Sequence, residues 1–244
     1  AAKVAGVGYN SKHPGTILHD NVPVGLNILE AAVSCGVERI LLASSACVYS
    51  RDSSVPTPET EGFIGNPEPT NLGYGWAKRF LEVQALCYAT QHPIKIALPR
   101  MYNAYGPRDD FSWETSHVIP ALIRKVVEGD DPIKVWGDGS QTRSFLYVSD
   151  FVEGLMLALE RYPECDSINI GSEEEVTISN LIDLIVKISG SPLSVKFEHD
   201  KPRGQPRRIG DYSKAREVLG FETRVGLSEG LRRTIAWYRD QQSG

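Results

Sequence analysis

Apolar residues recur along the chain with helical spacing in some stretches and form short buried runs in others. The stretch 21–35 is an example of the first kind, because Val24, Ile28 and Ala32 fall on one helical face and Gly36 follows as a stop signal. The pattern predicts helices at 21–35, 74–91, 117–128, 148–160, 178–188 and 227–241, and strands at 39–43, 94–98, 133–136 and 167–170.

Helices and strands alternate, and this alternation predicts an α/β fold with a doubly wound parallel sheet that helices cover on both faces. Ligands of such sheets bind at the carboxyl ends of the strands, which is where Ser44 and Ser45 follow the strand 39–43. After the segment Tyr105-Gly106-Pro107, which interrupts regular structure, the order of the predicted helices and strands changes. Residues 106–244 are predicted to form a smaller α/β lobe, with a soft boundary because such chains can cross between lobes.

Composition narrows the class of protein. The chain has 244 residues and a net charge of −5, which argues against a general nucleic-acid binder because those proteins need a basic face. No apolar run reaches the roughly 18 to 20 residues that span a bilayer, and the first residues lack the pattern of a signal peptide. The four cysteines lack metal-site or disulfide-framework spacing, so we expect reduced thiols in a cytoplasmic protein.

Tyr74 and Lys78 lie at positions i and i+4 of one predicted helix, so their side chains share a face. A phenol titrates near pH 10, and an adjacent ammonium favours its ionised form. We therefore expect Lys78 to lower the pKa of Tyr74 and to make it an acid/base group near neutrality. Ser45, at the end of the preceding strand, is expected to hydrogen-bond the same substrate oxygen.

Seven short segments give the chemistry a family context. They are Ser44-Ser45-Ala46-Cys47-Val48-Tyr49, Tyr74-Gly75-Trp76-Ala77-Lys78, Asn103-Ala104-Tyr105-Gly106-Pro107, Trp136-Gly137-Asp138-Gly139, Arg143-Ser144-Phe145, Val148-Ser149-Asp150 and Asn169-Ile170-Gly171. In this order they resemble the extended short-chain dehydrogenase/reductase family, the sugar-nucleotide epimerases, dehydratases and reductases. The resemblance implies that residues 1–105 are the C-terminal part of a Rossmann-like dinucleotide-binding domain. It also implies that 106–244 mainly bind the sugar nucleotide.

Two GDP-sugar branches of this family resemble the chain most, the GDP-L-fucose synthases and the GDP-mannose 3,5-epimerases. Segment 116–122, with His117, resembles the first branch, whereas 44–47 and 141–145 resemble the second. The resemblance favours a fucose-synthase-like enzyme acting on a GDP-(4-keto-6-deoxy)-mannose-type substrate. A 3,5-epimerase, another NDP-sugar epimerase and a non-catalytic sugar-nucleotide-binding fragment stay open. Dehydratases of the family carry an acidic residue at the position of Cys47, which argues against dehydratase activity for this chain.

Functional roles follow from the resemblance. It implies catalytic roles for Ser45, Cys47, Tyr74, Lys78 and His117, cofactor contacts from Ala1, Ala2, Ser44, Tyr74, Lys78 and Asn103, and substrate contacts from Asn103, Lys125, Trp136, Arg143 and Arg208. The implied cofactor is NAD(P), with NADPH favoured, and no metal is implied. The family commonly forms homodimers, here through the helices 21–35 and 74–91.

The expected chemistry begins with a 4-keto sugar, whose keto group acidifies the protons on C3 and C5. Cys47, as a thiolate, is expected to remove such a proton on one face, and His117 to return one on the other. Tyr74, Ser45 and Lys78 are expected to hold the C4 oxygen and to supply its proton. The nicotinamide is expected to deliver a hydride to C4, or to take one and return it.

One feature of the family is missing from the sequence. No G-x-x-G-x-x-G segment follows a strand, although the family binds the dinucleotide pyrophosphate with such a turn. The residue that would choose between NAD and NADP is missing with it, as are the first strands of the sheet. We therefore expect these 244 residues to bind dinucleotide weakly and to expose a strand edge.

Overall fold

The computed structural model describes residues 2–199 and 205–242. The helices are α1 (Val7–Lys12), α2 (Pro14–Ser34), α3 (Leu72–Gln91), α4 (Val118–Glu128), α5 (Val148–Arg161), α6 (Ile178–Ser189) and α7 (Leu227–Gln242). The strands are β1 (Arg39–Leu41), β2 (Ser44–Ser45), β3 (Lys95–Met101), β4 (Ala104–Tyr105), β5 (Ile133–Trp136), β6 (Thr142–Ser144), β7 (Leu146–Tyr147), β8 (Glu164–Ile170), β9 (Glu175–Thr177), β10 (Val195–Glu198) and β11 (Arg207–Arg208).

Each helix predicted from apolar spacing is present, and the largest difference concerns the start of α2. This helix begins at Pro14 rather than at residue 21. Proline suits the first helical turn because its missing N–H has no partner there in any case. The prediction missed this turn because Ile17 is the only residue between 14 and 20 that the helix buries, so no apolar period is visible.

The central sheet confirms the predicted parallel α/β fold. Strands β1 and β2 lie one after the other along one side of β3, and β8 pairs with its other side, all in parallel. The predicted strand 39–43 is thus two strands, with Leu42 between them donating its N–H to the Ala97 carbonyl at 3.0 Å. In residues 2–199 and 205–242, no strand pairs with the outer side of β1 and β2.

Helices cover both faces of this sheet. Successive side chains of β3 point to opposite faces, and Ile96 and Leu98 pack with residues of α2 and α3, such as Leu29 and Ala85. On the other face, Ala97 packs in a second apolar cluster with residues of α5 and β8. The sheet is therefore the middle layer of a three-layer α/β/α arrangement.

A second apolar core lies in the later part of the chain, where α4, α6 and α7 surround fully buried residues such as Ile123, Ile182 and Leu231. The strands of this part form small separate sheets, with β5 beside β10 and β6 between β9 and β11. However, β8 lies in the central sheet, so the chain returns to the first layer after residue 106. The division of function at residue 105 remains a prediction.

Two observations concern the environment of the protein. Cys35, Cys47, Cys87 and Cys165 are all free thiols, of which Cys35 and Cys87 are exposed. Across the described ranges, no helix combines the length and the apolar character that crossing a membrane requires.

Candidate active site

Ser45 ends strand β2 and begins the tight turn that presents Cys47. The Ser45 backbone is extended, with φ −152° and ψ 149°, and its Oγ accepts a hydrogen bond from the Cys47 N–H at 3.2 Å. Serine is favoured at such a capping position because its oxygen pairs a backbone N–H that the turn leaves without a partner. Ala46 and Val48 are buried on either side, so the turn is anchored while the thiol stays partly exposed.

Helix α3 carries Tyr74 and Lys78 one turn apart and runs close to the Cys47 turn. Gly75 permits this approach, because a Cβ atom at position 75 would lie only 2.5 Å from the Cys47 carbonyl oxygen. The Lys78 Nζ lies 5.4 Å from the centre of the Tyr74 ring. The thiol lies near both groups, because the charge of Cys47 affects the pKa of Tyr74 and of Lys78.

The pKa of Tyr74 differs from the prediction. Burial raises the pKa of its hydroxyl well above the ordinary value, and the charge of Cys47 raises it further. The pKa of Lys78 is lowered, because burial disfavours the ammonium more than the charges of Cys47 and Glu82 favour it. The expectation that Lys78 lowers the pKa of Tyr74 is therefore wrong for this structure. The buried phenol stays protonated at neutral pH and is suited to donate a proton.

Two nitrogen donors surround the Cys47 sulfur. The Asn71 Nδ2 donates a hydrogen bond to Sγ at 2.8 Å, and the Arg208 guanidinium donates a second one at 3.5 Å. Burial lowers the pKa of Arg208, but the charges of Cys47, Tyr102 and Glu68 outweigh burial and raise the pKa above its ordinary value. The sequence reasoning placed Arg208 only at the substrate and missed Asn71 altogether.

Arg143 and Arg208 lie side by side, because β6 and β11 pair in parallel with these two residues in register. The pKa of Arg143 is lowered to about 10, first by burial and then by the charge of Arg208, whereas the charge of Glu68 acts in the opposite direction. Among the residues that the structure describes, neither guanidinium forms an ion pair with a carboxylate; Arg143 donates to the Thr142 carbonyl at 2.6 Å. Two arginines in this arrangement suit a phosphate or diphosphate group.

His117 is the residue before the first turn of α4, and its side chain is 46% exposed. The His117 Nδ1 lies 4.0 Å from a carboxylate oxygen of Asp109. The loop before it is fixed to the start of the chain, because the Gly6 N–H donates to the Thr115 carbonyl at 2.8 Å. Through Asn10, the same N-terminal segment also contacts the surroundings of the thiol.

Two of the predicted cofactor contacts have their side chains bound within the protein. The Ser44 hydroxyl donates to the buried carboxylate of Glu82, so a contact of Ser44 with a cofactor falls to its backbone. The Asn103 Nδ2 donates to the Ser144 carbonyl at 3.0 Å. Ala1 lies outside the described residues.

Ala2, Ala43 and Lys78 line a cleft of about 240 Å³ at the outer side of β1. Most of the other walls are apolar side chains of α2, β1 and α3. The Lys78 ammonium donates one hydrogen bond, to the Ala43 carbonyl at 2.6 Å, which leaves two donors for a ligand. Apolar walls with one ammonium fit the nicotinamide and ribose end of a dinucleotide.

Asn21 keeps the first residues in place, since its Oδ1 accepts a hydrogen bond from the Lys3 N–H at 2.9 Å.

Lys125 and Trp136 lie further along the chain, on α4 and β5. The Lys125 Nζ donates to the carbonyl of Lys134 at 2.6 Å, and burial lowers its pKa. Trp136 is 48% exposed, and its ring packs on Gly8, where a Cβ atom would lie 3.3 Å from it. Among the described residues, neither side chain forms a hydrogen bond or an ion pair with Cys47, Arg143 or Arg208, so the roles of Lys125 and Trp136 at the substrate remain predictions.

Comparisons with known proteins identify the family. Residues 1–171 match the model of the NAD dependent epimerase/dehydratase family. GDP-L-fucose synthase 1 of Arabidopsis thaliana is 36% identical over 242 residues, which are 98% of this chain and 75% of that protein. Among solved structures, UDP-glucose 4-epimerase of Thermotoga maritima has a TM-score of 0.90 at 30% identity, covering 99% of this chain and 76% of that one.

A GDP-L-fucose synthetase from Naegleria fowleri, solved with bound NADP, also has a TM-score of 0.90, at 25% identity over 100% of this chain and 76% of that one. The chain thus spans about three quarters of the length of these relatives. The resemblance and the Rossmann-like fold class predicted from the sequence are confirmed. This chain belongs to the NAD-dependent epimerase/dehydratase family, the NAD(P)-dependent epimerases and reductases of sugar nucleotides.

Proposed function

We propose that the chain carries the catalytic and substrate-binding residues of an NAD(P)-dependent epimerase/reductase for a GDP-(4-keto-6-deoxy)-mannose-type sugar. The observation that carries this proposal is the proximity of Cys47, Tyr74 and Lys78 near the end of a parallel strand, where the charge of the thiol affects the pKa of both other groups. The identity to a GDP-L-fucose synthase supports the choice of a GDP-linked substrate. The NADP bound to the Naegleria fowleri structure supports NADPH as the cofactor.

Tyr74 and Ser45 hold the C4 oxygen of the keto sugar in this proposal. The raised pKa of Tyr74 keeps its phenol protonated, so it donates a proton to the oxygen when C4 is reduced. The Ser45 hydroxyl accepts from the Cys47 N–H and keeps its own hydrogen for the same oxygen. Bound NADPH supplies the hydride for C4.

Cys47 is the base that removes a proton next to the keto group. The resulting carbanion is stabilised because its charge spreads onto the C4 oxygen, which the proton donors hold. His117 returns a proton on the opposite face, and its Nδ1 lies 4.0 Å from a carboxylate oxygen of Asp109. Epimerisation at C3 and C5 then needs a thiolate and an imidazolium at the same pH.

In this proposal the two neighbouring arginines, Arg143 and Arg208, hold the pyrophosphate of the sugar nucleotide. The family resemblance implies that Lys125 binds the pyrophosphate as well and that Trp136 lies near the nucleotide. In this assignment residues 1–105 serve mainly the cofactor and 106–244 mainly the sugar nucleotide. The free thiols of the chain support a cytoplasmic location. The enzyme is proposed to be a homodimer through α2 and α3.

Proton exchange tests the assignment of Cys47 directly. The chain is incubated with the GDP-linked 4-keto-6-deoxy sugar in D2O, and loss of the C3 and C5 proton signals is followed by NMR. We expect Cys47→Ser to slow the exchange at least about 100-fold, because general base catalysis contributes at that level. The control is Cys87→Ser, whose thiol is exposed on α3. Equal exchange in Cys47→Ser and the parent chain would refute the assignment.

A GDP-mannose 3,5-epimerase is the second candidate, favoured by the sequence 44–47 and 141–145. The two candidate functions differ in their use of the cofactor, because an epimerase removes a hydride from the sugar and returns it, whereas a reductase consumes the hydride of NADPH. Stoichiometric oxidation of NADPH with the keto sugar therefore supports the reductase. Isomerisation of GDP-mannose without net oxidation supports the 3,5-epimerase.

A further inference from the structure

The Cys47 sulfur receives a short hydrogen bond from a neutral amide in addition to the one from Arg208. The Asn71 Nδ2 lies 2.8 Å from Sγ, closer than the guanidinium nitrogen at 3.5 Å. An N–H donor that points at a sulfur atom favours the thiolate over the thiol, because only the charged form accepts strongly. Asn71 lies directly before α3, the helix of Tyr74 and Lys78.

The orientation of the Asn71 amide follows from its neighbours. The Asn10 Nδ2 donates to the Ala5 carbonyl at 3.0 Å, and a carbonyl can only accept, so this atom must be the nitrogen. The same nitrogen lies 2.6 Å from the Asn71 side chain, which must present its oxygen there. The NH2 end of Asn71 is thereby turned towards Cys47. Asn10 is 4% exposed, so the arrangement is held in the interior.

We propose that Asn71 is a positioning residue that, fixed by Asn10, holds the Cys47 sulfur in place and stabilises the negative charge it carries when it acts as a base. This inference rests on the proposed function, in which Cys47 is the base, and deepens it by naming the residue that prepares the base. The N-terminal segment thus takes part in the catalytic centre through Asn10. The chain Ala5 carbonyl, Asn10, Asn71, Cys47 is a continuous series of hydrogen bonds.

Charged and titratable groups from other elements also face the thiol. Arg208 on β11 contacts the sulfur, and Lys78 and Tyr74 on α3 respond to its charge. Glu68, in the loop before α3, raises the pKa of Arg208 through its charge. Since Arg208 and Lys78 remain when Asn71 is replaced, the expected effect is a partial loss of thiolate.

The test measures the reactivity of Cys47 against pH. The chain and its variants are alkylated with iodoacetamide, and the rate at each cysteine is read by mass spectrometry, because trypsin separates the four cysteines into different peptides. We expect Asn71→Ala to reduce the rate of Cys47 alkylation near neutrality about tenfold and to move the pH midpoint of the reaction upward, because the charged sulfur loses a hydrogen-bond donor. Asn71→Asp, which faces the sulfur with a carboxylate, should move it further.

Controls separate this role from a merely structural one. Cys35 and Cys87, both exposed, report on the reagent in every sample, and Asn66→Ala changes an exposed asparagine of the same loop. A purely structural loss would open the cleft and make Cys47 react faster without moving its midpoint. Should Asn71→Ala fail to fold, Asn10→Ala, which frees the amide to rotate, gives the same measurement with a smaller upward shift expected.

An unchanged Cys47 midpoint in every folded variant overturns the proposal. Because alkylation needs neither substrate nor cofactor, the result is independent of the proposed reaction. An upward shift without any C3 or C5 proton exchange in the parent chain would support the role of Asn71 and contradict the enzymatic function.

Discussion

Glu82 is a buried carboxylate on α3 that lies next to strand β2, the strand that ends at Ser45. It is 5% exposed, accepts the Ser44 hydroxyl, and binds Arg100 through two hydrogen bonds at 2.9 and 2.7 Å. Arg100 itself is buried and also donates to the Tyr49 hydroxyl at 3.0 Å. This network joins β2, β3 and α3 below the cleft, so the position of Ser45 depends on charges that contact no ligand.

Replacement of Glu82 by glutamine tests the strength of this network. The change keeps the shape of the side chain but leaves the charge of Arg100 without a buried partner. We expect the free energy of unfolding to fall by about 3–5 kcal/mol, measured by urea denaturation. The matched control is Glu153→Gln, whose partner Arg224 has a side chain 71% exposed, and there we expect a loss below about 1 kcal/mol. Equal losses in the two variants would contradict the role of the buried pair.

Sequence and structure differ at the residue scale in a consistent way. Tyr74 and Lys78 stand four positions apart on one helix, so their spacing predicted their proximity before the fold was known, whereas the place of Cys47 beside them was implied by the family resemblance. Asn71 and Glu82 gave no such signal, because their partners lie far away in sequence: Asn71 contacts Asn10, 61 positions earlier. The raised pKa of Tyr74 was also beyond a sequence pattern, since burial, its first cause, exists only in the folded chain.

Helix α3 is the element that brings the phenol and the ammonium to the thiol, and glycine sets the distance. At position 75 a Cβ atom would meet both the Cys47 carbonyl and the Cβ of Pro67 at 2.5 Å. At position 73 it would lie 2.1 Å from the Pro14 carbonyl at the start of α2. The first turn of α3 is therefore packed backbone against backbone.

Substitution of Gly75 by alanine should push α3 away from the Cys47 turn. We expect a loss of about 1–3 kcal/mol in the free energy of unfolding, from overpacking. We also expect about 100-fold slower C3 and C5 proton exchange if the shift approaches 1 Å. Gly15→Ala on α2 is the control, since nothing lies within 4 Å of its added carbon, and it should gain about 0.4–1 kcal/mol. A fully active, fully stable Gly75→Ala chain would contradict this account.

At the scale of elements, the length of each helix or strand determined whether the sequence could predict it. Helices α4 to α7 have a repeated apolar period, and their ends were predicted to within one residue. Strands β4, β7 and β11 have two residues each, which is too short for any alternation to show. Their places depend on pairing partners such as β6 for β11, and such long-range pairs leave no local pattern.

At the scale of the molecule, a row of exposed apolar side chains runs along the outside of α3. Leu72, Trp76, Phe80 and Val83 follow one helical face, and Trp76 and Phe80 are each 42% exposed. Leu18 and Leu26 on α2 are exposed as well. Contiguous apolar surface of this kind is characteristic of an interface, and a symmetric dimer would cover it with the same face of a second copy.

A charge in the middle of this row should disrupt the proposed dimer. We expect the parent chain to sediment as a dimer and Phe80→Glu to sediment as a monomer, because a carboxylate would be buried at the centre of the interface. Met156→Glu, at an equally exposed apolar position on α5, should leave the dimer intact. Sedimentation velocity distinguishes these outcomes, and a monomeric parent chain would exclude this mode of assembly.

The in-register arginines of β6 and β11 have a consequence for recognition. Two guanidinium groups on adjacent strands repel each other, and an anion that binds between them would relieve this repulsion. A free sugar brings no charge that relieves this repulsion, whereas every nucleotide diphosphate does. If Arg143 and Arg208 bind the pyrophosphate as proposed, the chain selects a sugar that is attached to a nucleotide diphosphate over the same sugar without it, whichever sugar it is.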